Sequence, residues 1–224
     1  MRRALKPLLL VLCLVPLGLI AADLAMGRIR GDWVKEITHR TGWWGLFFIT
    51  ATLAITPLRR LTGWNRLVNY RRMIGLFAFT YITIHFLIYV VLDRQIPFDP
   101  TAWREVTKDI AKRPYITLGL SGFLMMIPLA FTSTKNSIRR LGRRWTTLHS
   151  LIYLVALAGV IHFMWSVKAD VTVPDRFAFV LLALLGARLV PRRRLPGRRA
   201  AAPEAADRPE PHAPLPSPEA SSAS

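Results

Sequence analysis

Residues 71–94 read RRMIGLFAFTYITIHFLIYVVLDR. Arg71 and Arg72 open the stretch, Asp93 and Arg94 close it, and Met73 to Leu92 hold no Asp, Glu, Lys or Arg. An α-helix needs about 20 apolar residues to cross a bilayer, and this block meets that length. Within it stands His85. An ionisable side chain in the hydrocarbon core is costly, so it marks a functional site by default.

Five further apolar blocks approach the same length: Pro7–Ala25, Trp43–Leu58, Tyr115–Phe131, Leu148–Val167 and Val173–Val190. The second begins near Thr41 and is expected to stop at Pro57, before Arg59 and Arg60. Pro128 is expected to kink the Tyr115–Phe131 block. The first is read as a retained helix, because no small-x-small cleavage site follows its basic start. These blocks predict an all-α polytopic membrane protein, a bundle of six transmembrane helices. No internal repeat stands out along the chain.

The chain carries a formal charge of +18 with 52% hydrophobic residues. Apolar residues gather in blocks and arginines between them, which excludes a nucleic-acid binder and points to contact with anionic membrane lipids. Cys13 stands alone, so a disulfide framework and thiolate metal sites are excluded. Leu12 precedes it where a lipid-attachment motif needs a small residue, and Cys13 reads as a small hydrophobe.

Orientation follows from the loops. Arg2, Arg3 and Lys6, then the loop with Arg59, Arg60, Arg66, Arg71 and Arg72, then the loop with Lys135, Arg139, Arg140, Arg143 and Arg144 contain no acid. The intervening segments 27–41, 93–113 and 168–176 mix both signs. The positive-inside rule then places both termini in the cytoplasm. The expected organisation is a cytoplasmic start over 1–6, a membrane domain over 7–192, and a disordered tail over 193–224, basic at first and then rich in Pro and Ala. His212 falls in that tail and is incidental. Residues 135–145 are expected to form a short basic surface helix with Trp145 at the interface. The other tryptophans read mostly as an interfacial belt.

Three histidines lie within these blocks: His85, His149 and His162. At about 1.5 Å of rise per residue, His85 lies about 20 Å and His162 about 25 Å from the cytoplasmic edge, but His149 only about 6 Å. His85 and His162 are therefore the candidate axial pair for a haem, which histidine ligates as neutral imidazole. On an ideal helix the 13 residues from His149 to His162 leave them about 140° apart, which fits a common site poorly. The alternative for any of the three is a packing histidine bonded to a backbone carbonyl. A zinc site is disfavoured, since no Cys, Asp or Glu lies at matching depth. His39 reads as an interfacial or structural residue. Arg71 and Arg72, like Arg143 and Arg144, serve lipid contact and topology, or alternatively pair with a haem propionate or a flavin phosphate.

Several segments resemble the MsrQ (YedZ) family, the bacterial haem-binding membrane subunits of the periplasmic methionine sulfoxide reductase system. They are HRTGWWGL from His39, ITPLRR from Ile55, RRMIGLFAFTYITIHF from Arg71, RPYITLG from Arg113, LAFTSTK from Leu129, LGRRWTTLHSLIYLVA from Leu141 and IHFMWSVK from Ile161. The resemblance covers most of residues 30–168. It implies a ferric-reductase-like transmembrane domain binding haem b, in one copy or two, and leaves room for FMN. The family's histidines fall on His85, His149 and His162. Relatives in the wider ferric reductase group carry two histidines on each of two helices; here Arg71 or Arg72 stands where the fourth is expected.

The function implied is an electron relay in the bacterial inner membrane. Electrons come from the quinone pool or a cytoplasmic flavin donor. They pass to a periplasmic molybdopterin-containing methionine sulfoxide reductase catalytic subunit, in support of protein repair. The catalysis itself belongs to that subunit. The outer loops, 93–113 above all, are the expected docking surface, where mixed charges suit a transient complex. Two other readings stay open at this point: a haem-containing ferric or quinone reductase, and a haem-free transporter or membrane scaffold.

Overall fold

A computed structural model of the chain describes residues 5–95, 101–167 and 171–189, and of residues 102 and 105 the backbone only. The expected tail over 193–224, with His212, and most of the cytoplasmic start lie outside these residues. The described chain is helical throughout: α1 (Leu5–Ala25), α2 (Trp33–Thr62), α3 (Val68–Ile88), α4 (Ala102–Lys112), α5 (Pro114–Phe131), α6 (Lys135–Leu141), α7 (Arg143–His149), α8 (Ile152–Ser166) and α9 (Thr172–Leu189). Five stretches are long and apolar enough to cross a membrane, α7 and α8 counting as one. The sixth apolar helix, α9, carries Asp175, Arg176 and Arg188 and completes the bundle.

The second helix is far longer than its apolar block. It starts at Trp33, where the Asp32 side chain accepts from Lys35 N, and ends at Gly63 in the left-handed conformation. The ten residues before Trp43 add about 15 Å of helix that a hydropathy reading misses. Arg40 holds this extension against α1 by bonding Asp23 at 2.7 Å and Glu36 at 2.8 Å.

Pro57 does not stop the helix, contrary to expectation. A proline in a helix interior orphans the carbonyl four residues earlier. Here that carbonyl belongs to Leu53, and Arg188 Nη2 of α9 donates to it at 2.6 Å. A neighbouring helix thus satisfies the freed backbone group, the condition under which membrane helices tolerate proline. The helix through Pro128 likewise continues to Phe131.

Pro16 in α1 has a comparable neighbourhood. The Tyr81 hydroxyl of α3 accepts from Leu17 N at 3.1 Å and donates to the Cys13 carbonyl at 2.8 Å. It stands inside the i to i−4 pair that these two groups would otherwise form. Tyr81 is 1% exposed, so this hydroxyl is a buried staple between the two helices. Cys13 itself is buried in the core, as its reading as a small hydrophobe anticipates.

The apolar block around Leu148 is also not one regular helix. Leu151 N bonds Leu148 O, Tyr153 N bonds Ser150 O, and Ser150 N is shared between Thr146 O and Thr147 O. These three-residue bonds make a local 3-10 turn, in which each residue turns about 20° further than in an α-helix. The overwinding shifts the angular offset between His149 and His162 away from the ideal-helix value. The expected basic surface helix is present as α6, capped by Thr134 and ended at Gly142 with φ of +50°. Trp145 Nε1 ties α7 back to Thr132 O.

The membrane core contains a repeat. The pair α2 and α3 and the pair α5 and α8 each bring a histidine against a helix of the same pair, at a sequence offset of 77 residues. Small residues let both pairs approach closely. A Cβ on Gly45 would collide with Ile82, and one on Gly122 would touch Ala158. Outside these motifs the two halves differ in most residues, which is why no repeat stands out in the sequence alone.

Candidate functional site

His85 and His162 meet across one cavity. Their ring centres are 6.2 Å apart and their planes nearly perpendicular, at 86°. His85 Nδ1 lies 2.9 Å from the Thr38 carbonyl of α2, and His162 Nδ1 lies 2.7 Å from the Tyr115 carbonyl of α5. A carbonyl only accepts, so each Nδ1 carries the proton and donates it. Each neutral ring then keeps its lone pair on Nε2. This is the tautomer and orientation that backbone carbonyls impose on metal-binding histidines.

Both rings rest on glycine. A Cβ at Gly42 would stand 2.9 Å from His85 Nδ1, and one at Gly119 would stand 2.7 Å from His162 Nδ1. Each glycine lies one helical turn after the carbonyl that its histidine engages. The cradle is therefore the same in both halves of the repeat: a carbonyl, a glycine four residues on, and a histidine 47 residues after the carbonyl.

The cavity measures about 660 Å³ and is walled around the rings by Leu46, Ile49, Ile82, Phe123, Met126 and Val155. That volume is in the range of small-molecule and cofactor pockets. Among the described residues no three His, Cys, Asp or Glu gather to hold a metal. A metal between these imidazoles would draw its remaining ligands from a non-protein group, as haem iron does. His85 and His162, with ring centres 6.2 Å apart, would hold such a metal between them. The residues present fit such a group.

The model of the ferric reductase like transmembrane component matches residues 41–160. The chain is also similar to curated proteins named protein-methionine-sulfoxide reductase heme-binding subunit MsrQ. The one from Rhodospirillum rubrum is 46% identical over 191 residues, covering 84% of this chain and 89% of the relative. Those from Xanthomonas oryzae pv. oryzae and Xanthomonas campestris pv. campestris are each 46% identical over 183 residues, covering 80% of this chain and 82% of the relative. The chain belongs to the MsrQ family of ferric-reductase-like membrane proteins.

The matched region includes His85 and His149 and stops two residues before His162. In this MsrQ-family chain His149 stands apart from the other two. It ends α7, its ring stacks on Trp145 at 3.9 Å, and its Nδ1 faces the Trp145 carbonyl at 3.1 Å. Its Nε2 has a long contact, 3.5 Å, with Ser133 Oγ, and the ring also interacts with the Leu129 backbone. Arg71 lies within electrostatic reach of it. Arg71 and Arg72 occupy the start of α3, and neither lines the cavity of His85 and His162. The 77-residue offset sets Arg72 at the position equivalent to His149. His39 also lines the cavity.

Sequence reading overlooked Thr38, Gly42, Tyr115 and Gly119. A signal for the glycines exists: GWWG at 42–45 and GLSG at 119–122 are each followed by HF, the histidine falling 43 residues after the first glycine. The carbonyl partners have no such signal, because any residue type offers a carbonyl.

Proposed function

We propose that this chain is the haem-binding membrane subunit of a methionine sulfoxide reductase system, relaying electrons across the bacterial inner membrane. The observation that carries the reading is the facing pair His85 and His162, each with Nδ1 committed to a carbonyl and both rings lining one cavity that is apolar around them. Haem b bound there supplies a one-electron couple, with a potential that reflects the two imidazole ligands and the apolar burial. The two carbonyl bonds hold the imidazoles neutral and oriented, so little reorganisation accompanies each electron.

His149, with Arg71 and Arg72, forms an inner site at the α6 end of the bundle. It serves a second haem or the phosphate of FMN, whose anionic groups suit the arginines. The basic α6 end faces the cytoplasm, in accord with the arginine-rich loops there, and both termini lie on that side. Electrons enter at this end from the quinone pool or a flavin donor. They leave at the α4 end for a periplasmic molybdopterin-containing catalytic subunit. Among the described residues of the outer loop 93–113, the amphipathic helix α4, with Trp103 60% exposed, offers a docking face.

The test is spectroscopic. The purified chain is expected to show a Soret band and a reduced b-type α band. His85→Ala and His162→Ala should each lose most bound haem. A colourless, folded preparation that cannot be reconstituted with haem would overturn the reading, and full spectra in both variants would overturn the ligand assignment.

A further inference from the structure

The cavity is chemically lopsided. Beside the rings it is aliphatic and aromatic, but toward the α4 end its lining includes the cations Lys35, Arg94 and Arg113 together with the carboxylates Asp32 and Asp93. Lys35 lies one helical turn before Thr38, whose carbonyl seats His85. Arg113 lies two residues before Tyr115, whose carbonyl seats His162. A cation therefore stands just beyond each ring, on the same side of both.

These cations are incompletely neutralised. The Lys35 ammonium has no hydrogen bond or ion pair among the described residues, and the nearby Asp32 carboxylate is used by the backbone N–H of Lys35. Arg113 Nε meets Asp109 at 3.1 Å, and its Nη1 reaches the Tyr115 hydroxyl only at 3.4 Å. Arg94 Nη2 shares the same Asp109 at 2.8 Å, so one carboxylate serves two guanidinium groups. Arg94 Nε lies 3.1 Å from Asp93 yet is buried without a hydrogen bond.

An apolar pocket with cations along one edge fits a flat apolar ligand with anionic groups along one edge. We propose that Lys35 and Arg113, with Arg94 behind them, receive the two propionate carboxylates of the haem held by His85 and His162. That edge of the macrocycle then faces the α4 end, away from Arg71 and Arg72. This inference rests on the haem reading above and adds the groups that orient the ligand.

The experiment uses the full chain in detergent and follows haem transfer to excess apomyoglobin. Lys35→Gln and Arg113→Gln should each speed haem loss about tenfold, since each removes a charge-assisted bond. The α band should stay in place, because the axial pair is intact. Lys112→Gln makes the same charge change on an exposed residue outside the cavity and should match the parent. Arg113→Gln also removes an ion pair with Asp109, so a second measurement covers a folding defect. The apoprotein is reconstituted with haem b or with its dimethyl ester, which lacks both carboxylates. The parent should prefer haem b, and Lys35→Gln should lose most of that preference. Equal retention of both ligands by the parent, or haem loss from Lys35→Gln and Arg113→Gln no faster than from Lys112→Gln, would overturn this inference alone. A parent chain that binds neither ligand would instead overturn the haem reading.

Discussion

A methyl group placed at Gly119 would put its carbon 2.7 Å from His162 Nδ1, 2.8 Å from Cε1 and 3.2 Å from Cγ. The first two distances are shorter than carbon atoms tolerate, so in Gly119→Ala the imidazole must move. The ring is anchored 2.7 Å from the Tyr115 carbonyl, and moving it stretches or breaks that bond. A buried hydrogen bond lost with one partner left unsatisfied costs about 1–3 kcal/mol. Loss of the group that orients a metal-bound histidine weakens metal affinity by about 10- to 100-fold. The two ranges agree, since a factor of ten is about 1.4 kcal/mol. Gly119→Ala should therefore bind haem about 10- to 100-fold more weakly, and Gly42→Ala somewhat less so, because its Cβ would sit 2.9 Å from His85 Nδ1. The assay is haem titration of the apoprotein, read at the Soret band. Gly186→Ala is the control, since a Cβ there meets nothing within 4 Å. Haem affinity in Gly119→Ala equal to that of Gly186→Ala would refute the cradle.

Three other outcomes are expected. Tyr81→Phe removes the hydroxyl between Leu17 N and the Cys13 carbonyl, which can then pair with each other, and should destabilise the protein by about 1 kcal/mol; a thermal melt in detergent unchanged from the parent would contradict the staple. Arg188→Gln should destabilise the chain by orphaning the Leu53 carbonyl, and should cost less in a Pro57→Ala background, where residue 57 regains the N–H that serves this carbonyl. A double-mutant cycle over these two positions measures the coupling, and additivity would count against it. His149→Ala should leave the spectrum of the haem between His85 and His162 in place, and should change only a signal from the inner site; loss of all haem would argue against two separate sites.

Much of the architecture was legible in the residues. The six apolar blocks are helical, five of them within stretches long and apolar enough to cross a membrane, and their depths set His85 and His162 together. Depth is legible because rise per residue is a local constant of the helix. Other features escaped for equally physical reasons. The extension of α2 over 33–42 is amphipathic and charged, so hydropathy does not register it. Pro57 reads as a terminator because the group that rescues its orphaned carbonyl is Arg188, 131 residues away. The 3-10 turn at Ser150 escapes a sequence reading that treats the helix as ideal, because it is set by local backbone bonds that residue type does not reveal.

By itself the sequence determined that this chain crosses a membrane in helices and which helices carry histidines, because burial and chemical type are properties of single residues and short windows. The tertiary structure alone decided which helix faces each histidine, and so which carbonyl takes each Nδ1 proton and which glycine makes room for each ring. Those contacts join residues 43 and 47 positions apart through helix packing, and they are made largely by backbone atoms common to every residue type. The glycine and histidine spacing leaves a faint trace of the repeat in the sequence, but the cradle it builds in each half is visible only once that packing is known.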